Sequence, residues 1–129
     1  MNSAVVALGS NIEPEKNIEK ALKQISECFK LVSQSDFIYT KPFGYLNQPD
    51  FLNGSVLIET PTAKNEVIKT LKKIEIELGR VKRDNKNGPH RIDLDLTIFN
   101  NRVVDDDVYE REFLRDAIHK LLPDFQFEE

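Results

Sequence analysis

The stretch from Ile92 to Phe99, Ile-Asp-Leu-Asp-Leu-Thr-Ile-Phe, constrains this chain more than any other. Ile92, Leu94, Leu96 and Ile98 alternate with Asp93, Asp95 and Thr97, the period-2 pattern of a strand with one buried face. On that pattern Asp93 and Asp95 point together to the open face. Residues two apart rise roughly 6.6 Å along a strand, so the two carboxylates can approach one centre and repel each other in its absence. A divalent cation would relieve the repulsion. An Asp-x-Asp pair is also what the solvated side of an ordinary amphipathic strand shows, so the pair alone does not decide. Its surroundings add weight. Gly88-Pro89 makes a turn just before the strand, and Arg80, Lys82, Arg83, Lys86, His90 and Arg91 crowd the preceding loop. Carboxylates that hold a metal beside basic groups that hold phosphate oxygens are what a metal-phosphate site requires.

That basic loop stands out because the chain as a whole is acidic, with 18 basic and 22 acidic side chains and a net charge of -4. The balance argues against a general nucleic-acid binder and favours a small polyanionic partner. A length of 129 residues predicts one domain over 1–129, with a core of ordinary size. The lone Cys28 excludes an internal disulfide or a cysteine-rich zinc site, and its place on the first predicted helix suggests a reduced, buried thiol. No apolar run approaches the ~20 residues of a membrane span, and the start lacks a signal-peptide pattern. A cytoplasmic protein without a membrane partner is expected.

Ser3 to Leu8 reads as a nearly continuous apolar strand ended by Gly9-Ser10-Asn11. Pro14 opens a helix whose stripe is Ile18, Leu22, Ile25 and Phe29. A second strand is expected from Leu31 to Tyr39. Thr40 to Asp50, with Pro42, Gly44, Asn47 and Pro49, marks a long structured loop. Phe51 to Thr60 is the third strand, followed by a helix with the stripe Val67, Leu71, Ile74 and Leu78 that Gly79 ends. The aspartate strand follows, then an Asn100-Asn101 turn, the acidic run Asp105-Asp106-Asp107 and a last helix from Arg111 to Leu122 stopped by Pro123. This order predicts an α+β protein, a ferredoxin-like two-layer sandwich of βαββαβ order plus a C-terminal helix. Its sheet would have four antiparallel strands, with helices on one face and the other face open for a site.

Four ordered motifs carry a resemblance: Gly9-Ser10-Asn11, Gln48-Pro49-Asp50-Phe51-Leu52-Asn53, Glu75 with Gly79-Arg80, and Gly88-Pro89-x-x-x-Asp93-Leu94-Asp95-Leu96. Together they resemble the 6-hydroxymethyl-7,8-dihydropterin pyrophosphokinase family over roughly residues 1–99. The resemblance implies a ferredoxin-like fold and a place in folate biosynthesis. It implies transfer of the β,γ-diphosphate of ATP to the hydroxymethyl group of a reduced pterin, with release of AMP. Asp93 and Asp95 would bind two Mg²⁺ ions that bridge the ATP phosphates. Phe51 and Phe113 match the aromatic positions that sandwich the pterin, and Asn53 matches the residue that hydrogen-bonds its polar edge. Thr40 to Phe43, with Pro42 between them, match the loop lining the pocket. Glu75, Arg83 and Arg111 match nucleotide-contacting positions. Arg80 and Lys82 match basic positions of the loop over the phosphates, and His90 and Arg91 fall beside the transferring group. The resemblance further implies small-molecule partners only, reduced pterin and ATP, and a monomer.

The chain departs from the family pattern at His90, where the family has arginine directly after Gly-Pro, with Arg91 one place later here. Asn87 stands where some members have tryptophan. The segment between the aspartate strand and Arg111-Glu112-Phe113 is shorter than usual, and Asp105-Asp106-Asp107 replaces a Pro-His-Pro stretch. These departures leave a second reading open, a degenerate homologue that binds pterin or nucleotide without catalysis. A ferredoxin-like RNA-binding module ranks below both, for want of strand aromatics in a basic setting.

Overall fold

The computed structural model describes residues 1–42, 46–79 and 92–127. The chain runs β1 (Asn2–Ser10), α1 (Pro14–Cys28), β2 (Lys30–Gln34), β3 (Ile38–Thr40), β4 (Phe51–Thr60), α2 (Lys64–Glu77), β5 (Asp93–Phe99), β6 (Arg102–Val103), a 3-10 turn (Asp106–Tyr109) and α3 (Glu112–Leu121). It is an α+β protein whose strands pair antiparallel in the order β2-β4-β1-β5-β6, with β3 also paired to β4.

The expected four strands are six among the described residues, for two local reasons. The single strand expected over Leu31 to Tyr39 is broken. Gln34 pairs with Val56 and Ile38 with Asn53, so four steps on one side meet three on the other. The surplus residue lets Ser35 turn inward, where it is buried. Its N–H donates to the Ser55 carbonyl at 2.9 Å, and its Oγ accepts from the Ser55 N–H at 2.9 Å. Phe37 then lies across Gly54, where the ring occupies the space a Cβ would need. The other addition is β6. Asn100 and Asn101 take φ of 48° and 64°, the left-handed pair that a two-residue hairpin requires, and Phe99 pairs directly with Arg102.

The helices also distribute differently from expectation. On one face, Ile18, Ala21 and Ile25 of α1 and Val67, Leu71 and Ile74 of α2 pack on Ala4, Val6, Leu8, Val56, Ile58, Leu94 and Leu96. Both stripes are those of the 3.6 period, and Gly79 at φ 94° closes α2. The opposite face is not wholly open. Leu114, Ile118 and Leu121 of α3 pack there on Val5, Ala7, Ile98 and Val108. The third helix thus covers one end of that face and leaves the other as a cleft.

Three finer expectations are corrected. Gly9 and Ser10 do not end β1 but belong to it, pairing with Asn53 and Leu52. Cys28 is exposed, because Phe29 takes the next inward place of the α1 stripe. Ile98 does not share a face with Leu94 and Leu96. The β1–β5 register shifts between Val5 and Val6, which pair with Ile98 and Leu96, so Thr97 is a bulge residue. Its buried hydroxyl donates to the Val5 carbonyl at 3.0 Å. The bulge turns Ile98 toward α3 and sends Phe99 back to the first core.

Candidate active site

The uncovered end of the sheet is a cleft of about 680 Å³ of empty space, continuous with solvent, and the sheet register builds its floor. Gly9 of β1 pairs with Asn53 of β4 on one side and with Asp93 of β5 on the other. One step along, Ala7 lies between Ser55 and Asp95. Two small residues on the central strand therefore sit between an amide side chain and two carboxylates. Gly9 is sterically required: a Cβ there would come within 2.7 Å of Asn53 Oδ1. The Asn53 amide is oriented from the other side, where Nδ2 donates to Thr40 Oγ1 at 2.6 Å.

Phe51 lies two residues before Asn53 and so shares its face of β4. The approach to Phe51 is held by Asn11, whose Nδ2 donates to Gln48 Oε1 at 2.8 Å and to the Pro49 carbonyl at 3.1 Å. From above, α3 contributes Phe113 and Leu114, and Arg111 stands at its N-terminus. Arg111 Nη2 is 3.8 Å from Asp107 Oδ2. Asp105 caps the 3-10 turn by accepting from the Asp107 N–H at 3.0 Å. Asp105 and Asp107 also line the cleft.

Electrostatically the cleft is loaded with carboxylates. Burial, and then the neighbouring Asp93, push the Asp95 carboxyl well above its ordinary value, with Asp105 adding to the rise and Lys72 opposing it. Burial also raises the Asp105 carboxyl, against the hydrogen bond it takes from Asp107. Lys72 of α2 lies 3.9 Å from Asp95 Oδ1 and 3.3 Å from Glu75 Oε1. The neighbouring carboxylates of Asp93 and Asp95 repel each other, a repulsion that a cation between them would relieve. Among the described residues no group of three or more His, Cys, Asp or Glu could hold a metal ion. A two-carboxylate donor set suits Mg²⁺, which takes one or two carboxylates and completes its shell with water and phosphate oxygens.

Of the residues singled out in the sequence, the cleft gathers Thr40, Phe51, Asn53, Asp93, Asp95, Arg111 and Phe113. Pro42 is buried next to Lys41 and is not part of the lining. Glu75 is not part of the lining either. It is buried in α2, where its Oε2 accepts from the Leu94 N–H at 2.6 Å, so it anchors β5 between the two aspartates. Phe43, Arg80, Lys82, Arg83, His90 and Arg91 lie outside the described residues. Sequence reasoning passed over Lys72, although its three-residue spacing to Glu75 on one helix was a usable signal. It also read Gly9 as a terminator, and only the cross-strand pairing gives that glycine its place in the floor.

Comparison with known proteins agrees with the motifs. Over 125 residues the chain is 35% identical to the 2-amino-4-hydroxy-6-hydroxymethyldihydropteridine pyrophosphokinase of Haemophilus influenzae, covering 88% of this chain and 78% of that protein. The enzymes of the same name from Campylobacter jejuni and Pseudomonas aeruginosa are each 38% identical over 103 residues, or 78% of this chain. The match spans 65% and 63% of those two proteins, a little under two thirds of their length. A family model, 7,8-dihydro-6-hydroxymethylpterin-pyrophosphokinase (HPPK), matches residues 5–123, and the chain belongs to that family.

Proposed function

We propose that the protein transfers the β,γ-diphosphate of ATP to the hydroxymethyl group of 6-hydroxymethyl-7,8-dihydropterin and releases AMP, as a step of folate synthesis. The observation that carries this reading is the meeting of Asp93 and Asp95 with Phe51, Asn53 and Phe113 in one cleft. Aromatic faces give a flat pterin its affinity, and a fixed amide gives it orientation. Asn53, held by Thr40, is suited to the polar edge of the ring. Asp93 and Asp95 would hold Mg²⁺, which when bound neutralises the triphosphate. Arg111, which lines the cleft and lies 3.8 Å from Asp107, would meet nucleotide phosphate. Glu75, which matches a nucleotide-contacting position of the family, holds the β5 backbone between Asp93 and Asp95 from its buried place in α2. From their match to the family motifs, Arg80, Lys82, His90 and Arg91 would supply positive charge to the phosphates and Arg83 a contact to the nucleotide.

The finer fold assignment belongs to the same reading. With the short β3 and β6 set aside, β2-β4-β1-β5 with helices after β1 and β4 is the strand order of a ferredoxin-like sandwich. The partners are small molecules. On the same reading the protein acts as a monomer in the cytoplasm; no described helix is long and apolar enough to cross a membrane.

AMP release from MgATP, followed with and without 6-hydroxymethyl-7,8-dihydropterin, tests the function. Pterin-dependent AMP formation is expected. Pterin binding without AMP release would replace transfer by the binding-only reading.

A further inference from the structure

The ammonium of Lys72 belongs to none of the roles above, yet it reaches both the buried α2 carboxylate and the cleft. It lies 3.3 Å from Glu75 Oε1 and 3.9 Å from Asp95 Oδ1. The Glu75 side chain is 3% exposed, that of Asp95 38% and that of Lys72 50%. Lys72 also lines a separate hollow between α2 and the edge of β5, with Leu71, Leu94, Asp95 and Asp105. Asp95 is therefore reached from two sides: from the cleft, where Asp93 stands beside it, and from the α2 side, where Lys72 stands.

We propose that Lys72 is a positioning residue: its ammonium is the counter-ion of Asp95 while the site lacks metal, and it yields that carboxylate when a divalent cation enters beside Asp93. This rests on the assignment of Asp93 and Asp95 as metal ligands. The geometry supports an exchange and not a fixed bond. The contact to Glu75 is the shorter, runs between residues three apart on one helix, and anchors the lysine whether or not Asp95 is engaged. The contact to Asp95 is long and half in solvent, so little is lost when a metal replaces it. A lysine held this way lowers the repulsion between the carboxylates before metal arrives, and so keeps the β5 end of the cleft in place. It also competes with the metal, so its removal tightens metal binding.

The test uses Lys72→Met, Asp95→Asn and the double variant, melted in EDTA and again in saturating Mg²⁺. In EDTA the shifts of melting temperature should be non-additive by about 2–4 °C, and in Mg²⁺ the parent and Lys72→Met should differ by no more than the loss of the Glu75 contact. Lys72→Arg should retain the coupling, and Lys69→Met, which removes an exposed partner of Glu66 on the same helix, should show none. Titration of the metal-free proteins with Mn²⁺ alone should give a dissociation constant roughly 3- to 10-fold lower for Lys72→Met than for the parent. Additive shifts in EDTA, coupling that persists unchanged in Mg²⁺, or a Mn²⁺ affinity unchanged or weakened by Lys72→Met would each overturn the proposal. Asp93→Asn separates the two levels. If it binds Mn²⁺ as well as the parent, the metal assignment itself falls, while the EDTA cycle still decides whether Lys72 is the counter-ion of Asp95.

Discussion

The two faces of the β1–β5 ribbon are made from neighbouring residues and have opposite characters. Toward α1 and α2, Val6, Leu8, Leu94 and Leu96 are apolar and buried. On the other face, one residue along in each strand, stand Ala7, Gly9, Asp93 and Asp95. The first face lowers the free energy of the fold by removing apolar surface from water. The second raises it, because Asp95, its side chain 38% exposed, is held beside a like charge. Alternation lets one strand do both, and the stability of one face tolerates the repulsion on the other.

The comparison breaks if a residue of the apolar face proves to matter mainly for turnover. Leu71→Ala, at a position 1% exposed, should destabilise the protein by about 2–5 kcal/mol in denaturant unfolding and leave the KM for pterin near that of the parent. A smaller effect is expected on the cleft face. Phe51→Ala should weaken pterin binding by about 1–3 kcal/mol with little change in unfolding midpoint, read by calorimetry and denaturation on one sample. Asn53→Ala should weaken pterin binding without weakening nucleotide binding; equal losses for both would remove Asn53 from the pterin side.

The smallest effect concerns the charge itself. The Asp95 carboxyl is raised above its ordinary value of 3.8, so the folded state holds that proton to higher pH than the unfolded chain does. Folding is therefore penalised as pH rises through the raised value, and the penalty is absent below 3.8. In EDTA, Asp95→Asn should melt above the parent at pH 8, and the difference should close as the pH is lowered. A difference that grows on acidification would reverse the assigned cause.

The alternation from Ile92 to Leu96 was enough to put both aspartates on one face, because pairing with β1 keeps register there. It failed at Ile98, since the bulge at Thr97 depends on the carbonyl of Val5, a partner 92 residues away. The apolar stripe of α3 was legible from Leu114, Ile118 and Leu121, but not the sheet face it would cover. Periodicity tells that a stripe is buried, not against what. Asn100-Asn101 was recognised as a turn, and its hairpin then followed from two left-handed residues. Ser35 and Phe37 gave no break signal, because their inward turn depends on Ser55 and on the empty Cα of Gly54. In the cleft, motif order found Phe51, Asn53 and the aspartates. Lys72 needed the structure, since its approach to Asp95 joins a helix to a strand across 23 residues of sequence.

The central claim is that the carboxylates on the cleft face carry the reaction and not the fold. Pterin-dependent AMP release at saturating MgATP, measured for Asp95→Asn beside the parent, tests it most directly. The account predicts a loss on the order of 10³-fold in turnover from a variant that remains folded. Turnover within a few-fold of the parent would contradict it and return Asp95 to the solvated side of an amphipathic strand.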